Sequence, residues 1–270
     1  MVVAKIGDLD MYYELDGEGP PLVMIMGLSG DAGWWEPSTV RILSRDFRVL
    51  RFDNRDAGRT TGPASSYTIK DMALDTVRLM DHLGLEKAHI LGISMGGMIA
   101  QELALNYPDR VARLVLGCTT PGLRTGVAPS SEVLKIMTAS QEGLPAWKVA
   151  AQLAKVTLAP GWMLTHFWRL PGLVLRTGRH PIRPDGYARQ LVAIGGFEAG
   201  DRLPALKIPT LVIHGDRDVL LPPENGRILS GLIPGARLVI YEGAAHGFST
   251  ERPRLFARTV RDFLLEGAVA

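Results

Sequence analysis

Apolar and polar positions alternate in two rhythms along this chain. Residues 2–6 and 9–15 flank Gly7-Asp8 and read as two strands, which predicts a hairpin. Residues 22–26 are apolar without a break, the pattern of a strand buried on both faces. A short helix is predicted over 33–45, a strand over 47–52 and a loop over 53–63. Helical spacing then runs across 68–83 through Ile69, Met72, Leu79 and Leu83, until Gly84 stops it. An apolar strand ends near Gly92, a helix runs on to about Tyr107, and 111–118 is the next strand. After residue 207 the alternation resumes, with strands at 210–214 and 236–241 and helices at 224–233 and 252–266. Strands alternating with helices predict an α/β fold with a mostly parallel central sheet flanked by helices.

Residues 119–206 break the rhythm. No strand pattern occurs there, and four helical stretches are predicted, at 131–141, 144–158, 160–177 and 183–198. The expected organisation is therefore a core formed by 1–118 and 207–270, with 119–206 inserted as an all-helical cap or lid. Trp147, Trp162, Phe167 and Trp168 fall in the insertion and must pack on something, either the core or a pocket.

Composition narrows the function class. With 270 residues, 46% apolar and 21% charged, the chain reads as one globular domain. A net charge of +2 gives no reason to expect a nucleic-acid or membrane partner. That total divides into +5 for the insertion and −3 for the rest, which a solvated basic face explains. One cysteine, Cys118, excludes an internal disulfide. No signal-peptide pattern is found, so a cytoplasmic protein is expected, and a homo-oligomer is compatible with it. No ligand-spaced His/Cys/Asp cluster or phosphate loop occurs, so neither metal nor cofactor is expected.

The chemistry centres on Gly92-Ile93-Ser94-Met95-Gly96, a Gly-x-Ser-x-Gly turn between strand and helix. Such a turn strains the serine backbone, exposes its hydroxyl and sets it at a helix start, where amides favour negative charge. A serine needs a base, and the base needs an orienting acid. Of six histidines, His246 stands in the small-residue loop Glu242-Gly243-Ala244-Ala245-His246-Gly247, ahead of the last helix. For the acid, Asp216 and Asp218 compete in the loop after 210–214. Asp218 is favoured because Asp216, nearer the strand end, can tie down its own turn. Asp53 and Asp56 are the fallback. The oxyanion donors are expected at Met95 N–H and at Leu28 N–H in Met26-Gly27-Leu28-Ser29-Gly30.

The elbow at 92–97, the acid loop at 214–222 and the histidine loop at 242–248 together resemble an α/β-hydrolase fold enzyme with a helical cap. Gly92-Ile93-Ser94-Met95-Gly96-Gly97-Met98 resembles the 3-oxoadipate enol-lactonase and carboxylesterase branch. The loop from Asp53 to Thr60 is similar to that of polyketide methylesterases. Two positions depart from the common pattern: Met26-Gly27 replaces His-Gly, and Arg55-Asp56-Ala57-Gly58 replaces Arg-Gly-x-Gly. The resemblance implies a serine hydrolase acting on a small ester or lactone. Two rivals remain open: a cofactor-free perhydrolase or haloperoxidase using the same triad, and a ligand receptor of this fold with slow hydrolysis.

Overall fold

The computed structural model describes residues 2–139 and 146–266. Its strands are β1 (Val2–Ile6), β2 (Leu9–Asp16), β3 (Pro21–Ile25), β4 (Arg48–Phe52), β5 (Ala88–Ile93), β6 (Val111–Gly117), β7 (Thr210–Gly215) and β8 (Arg237–Tyr241). They form one sheet of eight strands in the order β1-β2-β4-β3-β5-β6-β7-β8. β2 pairs antiparallel with β1 and β4, and every other pairing is parallel. The hairpin, the parallel core and nearly all strand limits agree with the apolar pattern.

Both faces of the central strands are covered. Val23, Ile25, Ile90, Leu114, Leu116 and Val212 point into one apolar layer. Leu22, Met24, Leu91, Ile93, Val115, Leu211 and Ile213 point into the other. This alternation within unbroken apolar runs is what a strand buried on both sides requires. Helices α1 (Pro37–Leu43), α2 (Ile69–His82) and α3 (Met95–Asn106) cover the first half of the sheet. α2 opens with a capping box, in which the Thr68 side chain takes the Asp71 N–H and Asp71 takes the Thr68 N–H at 2.8 Å. Each fully buried Leu or Phe in these layers contributes about 1.5–3 kcal/mol.

Between β6 and β7 the described residues contain helices and no strand, with one isolated bridge between Gly122 and Glu198. The helices are α4 (Ser131–Thr138), α5 (Ala146–Thr157), α6 (Trp162–Thr165), α7 (Leu170–Thr177) and α8 (Pro184–Gly195). The remaining helices are α9 (Glu224–Leu232), α10 (Phe248–Glu251) and α11 (Pro253–Leu265), and α11 packs against α1. No described helix is long and apolar enough to cross a membrane.

Three differences from the sequence expectation have local causes. The helix expected over 33–45 is a 3-10 turn at Ala32–Trp34 followed by α1, because Pro37 holds Glu36 in an extended conformation. The helix expected over 160–177 splits into α6, a 3-10 turn and α7. His166 leaves the helical region there (φ −133°), and Pro171 suits only a first turn. Phe167 and Trp168 are 66% and 63% exposed rather than packed away. Their rings meet each other edge to face at 5.5 Å instead. Trp162 is buried, and the Trp147 side chain and the helix ends expected within 140–145 lie outside the described residues.

Candidate functional site

The parallel ladder aligns one edge of the sheet. Ile25 pairs with Gly92, Ile93 with Gly117, Gly117 with Ile213, and Gly215 with Tyr241. Leu28, Ser94, Asp218 and His246 all follow the carboxyl ends of these strands, where open α/β sheets bind ligands.

Ser94 stands between β5 and α3 with φ +54°, a conformation serine rarely takes. The tightness of the turn accounts for it. A Cβ on Gly92 would overlap the Gly96 carbonyl, and one on Gly96 would overlap that of Ile25. Ser94 N–H donates to Gly117 O at 2.9 Å, and Thr119 Oγ1 donates to Ser94 O at 2.8 Å. The backbone is thus pinned while the side chain is left unbonded among the described residues.

The loop after β3 lies against this serine. The Cβ position of Gly27 is 3.0 Å from Ser94 Cβ and 3.5 Å from its Oγ. Gly30 N–H turns back to Gly27 O at 3.1 Å, and Asn54 Nδ2 donates to Met26 O at 3.0 Å. Ser29 adopts φ +65° and gives its N–H to Gln190 Oε1 at 2.9 Å. Among the described residues neither Leu28 N–H nor Met95 N–H donates to a protein acceptor.

Asp218 and His246 form a buried pair. His246 Nδ1 lies 2.8 Å from Asp218 Oδ2, and His214 Nε2 lies 3.2 Å from the same oxygen. Asp218 Oδ1 accepts Leu220 and Leu221 N–H at 2.9 and 2.8 Å. His214 Nε2 also faces Leu221 O at 2.8 Å, so two acceptors fix the hydrogen on that nitrogen. Burial alone would push the Asp218 carboxyl up. The charge of His246 and the hydrogen bonds of both histidines outweigh it and hold the pKa down to about 2. With Nδ1 facing the carboxylate, His246 has Nε2 for other work. No hydrogen bond joins it to Ser94 Oγ among the described residues.

The other candidates have different employment. Asp216 takes Gly243 N–H at 2.6 Å and ties β7's loop to β8's. Asp53 is buried under Arg59 and the Ala32 N–H, and Asp56 is held by Arg189 at 2.6 and 2.8 Å and by Tyr67. His89 packs edge-on against Phe47, and burial pushes its pKa down to about 4. His166 stacks on Trp162 at 4.8 Å. Among the described residues no group of three or more His, Cys, Asp or Glu side chains is arranged so that it could hold a metal ion.

Sequence reasoning missed the side chains that join this edge to the insertion. Gln190 on α8 reaches the loop after β3. Buried Glu251 on α10 accepts Ala159 N–H at 2.6 Å and Ala245 N–H at 3.1 Å. Gly247 N–H donates to Thr157 O at 2.6 Å. Thus the residues on both sides of His246 are bonded to groups that fix them to the insertion or to α10. A cavity of 630 Å³ also opens between the insertion and the Ala32–Trp34 turn, walled in part by Asp31, Arg59, Trp162, Arg176 and His180. Ser94, Asp218 and His246 do not line it.

Residues 20–253 match the model of the alpha/beta hydrolase fold family. A RutD protein of Azorhizobium caulinodans, named as a candidate carbamate hydrolase, is 29% identical over 97% of this chain and 98% of its own length. The enol-lactonase of Burkholderia xenovorans LB400 superposes with a TM-score of 0.87 at 31% identity, covering 98% of this chain and all of that one. A thermophilic esterase from Thermogutta terrifontis gives 0.82 at 27% identity, covering 97% and 95%.

Proposed function

Because this chain belongs to the alpha/beta hydrolase fold family, we propose that it is a serine hydrolase that cleaves small carboxylic esters or lactones through an acyl-enzyme. The observation that carries the reading is the buried Asp218–His246 pair at 2.8 Å, set on the same sheet edge as the strained Ser94.

In this reading His246 Nε2 takes the Ser94 proton as Oγ attacks the carbonyl carbon. The carbonyl electrons move onto oxygen, and the free Leu28 and Met95 N–H groups receive that charge. The C–O bond to the alcohol then breaks, and the alcohol leaves with the proton from His246. Water attacks the acyl-enzyme by the same route in reverse roles and frees the acid. Asp218 keeps the His246 hydrogen on Nδ1 and stabilises the imidazolium. The helical insertion over 119–206 serves as the cap, and its bonds to the loops of Ser29 and Gly247 support that role.

A carbamate is the second reading, because its carbonyl passes through the same tetrahedral oxyanion and sequence relatives carry that name. The test is a panel of esters, lactones and carbamates against purified protein, with Ser94→Ala as the blank. Turnover of an ester or lactone that the blank lacks supports the proposal. Carbamate turnover alone selects the second reading. Turnover of acetate plus peroxide in preference to any ester selects a perhydrolase, and one equivalent of product without a second selects a receptor.

A further inference from the structure

Ser29 follows the proposed oxyanion donor Leu28, yet its own N–H is held by the insertion rather than by the core. Gln190 Oε1 accepts it at 2.9 Å, across 161 residues of sequence. The other end of the amide, Nε2, donates to Arg55 O at 2.7 Å. Gln190 is completely buried with a bond at each end. Its neighbour Arg189 pairs with Asp56 through two bonds, which pins this face of α8 beside the 53–60 loop.

The turn that Gln190 grips is closed by Gly30 N–H on Gly27 O at 3.1 Å but is strained at Ser29. Ser29 sits at φ +65°, a left-handed conformation uncommon for serine. Turning the Leu28–Ser29 peptide over by half a turn would bring that angle to about −115°, in the relaxed β region. The flip would also change ψ of Leu28 and put its carbonyl where the Ser29 N–H now points. Gln190 Oε1 stands at that place. It bonds the N–H of the observed state and repels the carbonyl of the flipped one. The Gly27–Leu28 peptide, which carries the Leu28 N–H, shares the Leu28 Cα with the peptide that Gln190 fixes.

We propose that Gln190 is a positioning residue that holds the strained Leu28–Ser29 peptide, and so keeps the Leu28 N–H directed at the oxyanion. The proposal rests on the hydrolase reading above. Gln190 does not touch the substrate. It acts through the backbone of the loop after β3, and so makes the insertion part of the oxyanion site.

The test uses the whole chain and two variants. Gln190→Met keeps the shape and loses both hydrogen bonds. Gln190→Glu keeps an acceptor for Ser29. The assays are kcat and KM on the best ester and inhibition by a trifluoromethyl ketone. That probe adds Ser94 Oγ and places an oxyanion where the intermediate has one. Removing an oxyanion donor outright lowers kcat by about 10²–10³. Displacing one should cost less, about 30-fold in Gln190→Met, with KM within about threefold and ketone affinity falling in step with kcat. Gln190→Glu should recover most of the loss. Ser29→Gly in the Gln190→Met background should regain about tenfold, because glycine holds φ +65° without strain. If Gln190→Met does not fold, Gln190→Leu and Gln190→Ala, which also lack the acceptor, are read in its place against Gln190→Glu by the same criteria. The proposal is overturned if Gln190→Met keeps kcat within twofold, if ketone affinity stays put while kcat falls, or if Gln190→Glu is as impaired as Gln190→Met. A wild-type protein with no turnover on the panel defeats the function reading first, before any Gln190 variant is compared, and this proposal with it.

Discussion

Replacing Asp218 by Asn should disable the site through the tautomer of His246. The carboxylate now meets four donors, Leu220 and Leu221 N–H on Oδ1 and the two histidine rings on Oδ2. Asn has one acceptor oxygen and one NH2. If its oxygen stays on the two backbone amides, the NH2 faces His246 Nδ1. That nitrogen must then accept, and the ring hydrogen moves to Nε2, the nitrogen needed to take the Ser94 proton. If the amide flips, its NH2 collides with two backbone donors instead. Each stranded buried donor costs about 1–3 kcal/mol, so a stability loss of about 3 kcal/mol is expected as well. The same exchange in a serine protease lowers turnover about 10⁴-fold, roughly 5.4 kcal/mol of transition-state stabilisation. Asp216→Asn is the control. It weakens one hydrogen bond, to Gly243 N–H, and should cost about 1 kcal/mol of stability and less than fivefold in turnover. Initial rates on an ester and urea unfolding of each purified variant provide both quantities. A folded Asp218→Asn enzyme within tenfold of wild type would refute the assignment. So would an Asp216→Asn enzyme more impaired than Asp218→Asn.

Three other outcomes follow from the same geometry. A fluorophosphonate should label Ser94 alone among the serines, as mass spectrometry of a digest would show, while Ser94→Ala should lose turnover with a Tm at or above that of wild type. The Asp218 carboxyl is held below its ordinary value, so its charge stabilises the fold above about pH 4 and this contribution is lost as pH falls toward 2. The stability gap between wild type and Asp218→Asn, measured by urea unfolding, should therefore narrow as pH falls from about 4 toward 2, by on the order of 2 kcal/mol at the limit. A gap that does not change with pH contradicts the coupling. Gly96→Ala should prevent normal folding, because its Cβ would overlap the Ile25 carbonyl, and a soluble variant with wild-type Tm would show that the elbow is looser than described.

Local chemistry made much of this molecule legible. Unbroken apolar runs gave the inner strands, because burial on both faces leaves no polar position. Helical spacing from 68 and the stop at Gly84 placed the ends of α2 within a residue or so. The elbow was visible because tight backbone approach admits only glycine at 92 and 96. Asp218 was preferred to Asp216 by loop position; in the structure Asp218 meets His246, and Asp216 meets Gly243 N–H on the loop after β8 rather than its own turn. What stayed hidden depends on distant partners. Nothing around Gln190 in the sequence marks a contact 161 residues away. Glu251 reads as one more acid near a helix start, although its oxygens reach Ala159 and Ala245. The breaks at Pro37 and His166 were obscured by apolar spacing that continues across them.

Glu251 also bears on how such a protein could diversify. Its two oxygens are divided between the residue before His246 and the segment after α5, and Thr157 O holds the residue after His246. An insertion borrowed from a relative would therefore arrive without the matching N–H and carbonyl unless its backbone ran through the same two points. The buried carboxylate would lose one of its two acceptor roles, and Gly247 N–H would lose its acceptor. New specificities are thus more accessible by changing side chains on a retained insertion than by exchanging the insertion whole. A transplant that kept 157–159 and position 190 while varying α6 and α7 would preserve the stitches and free the remainder to change.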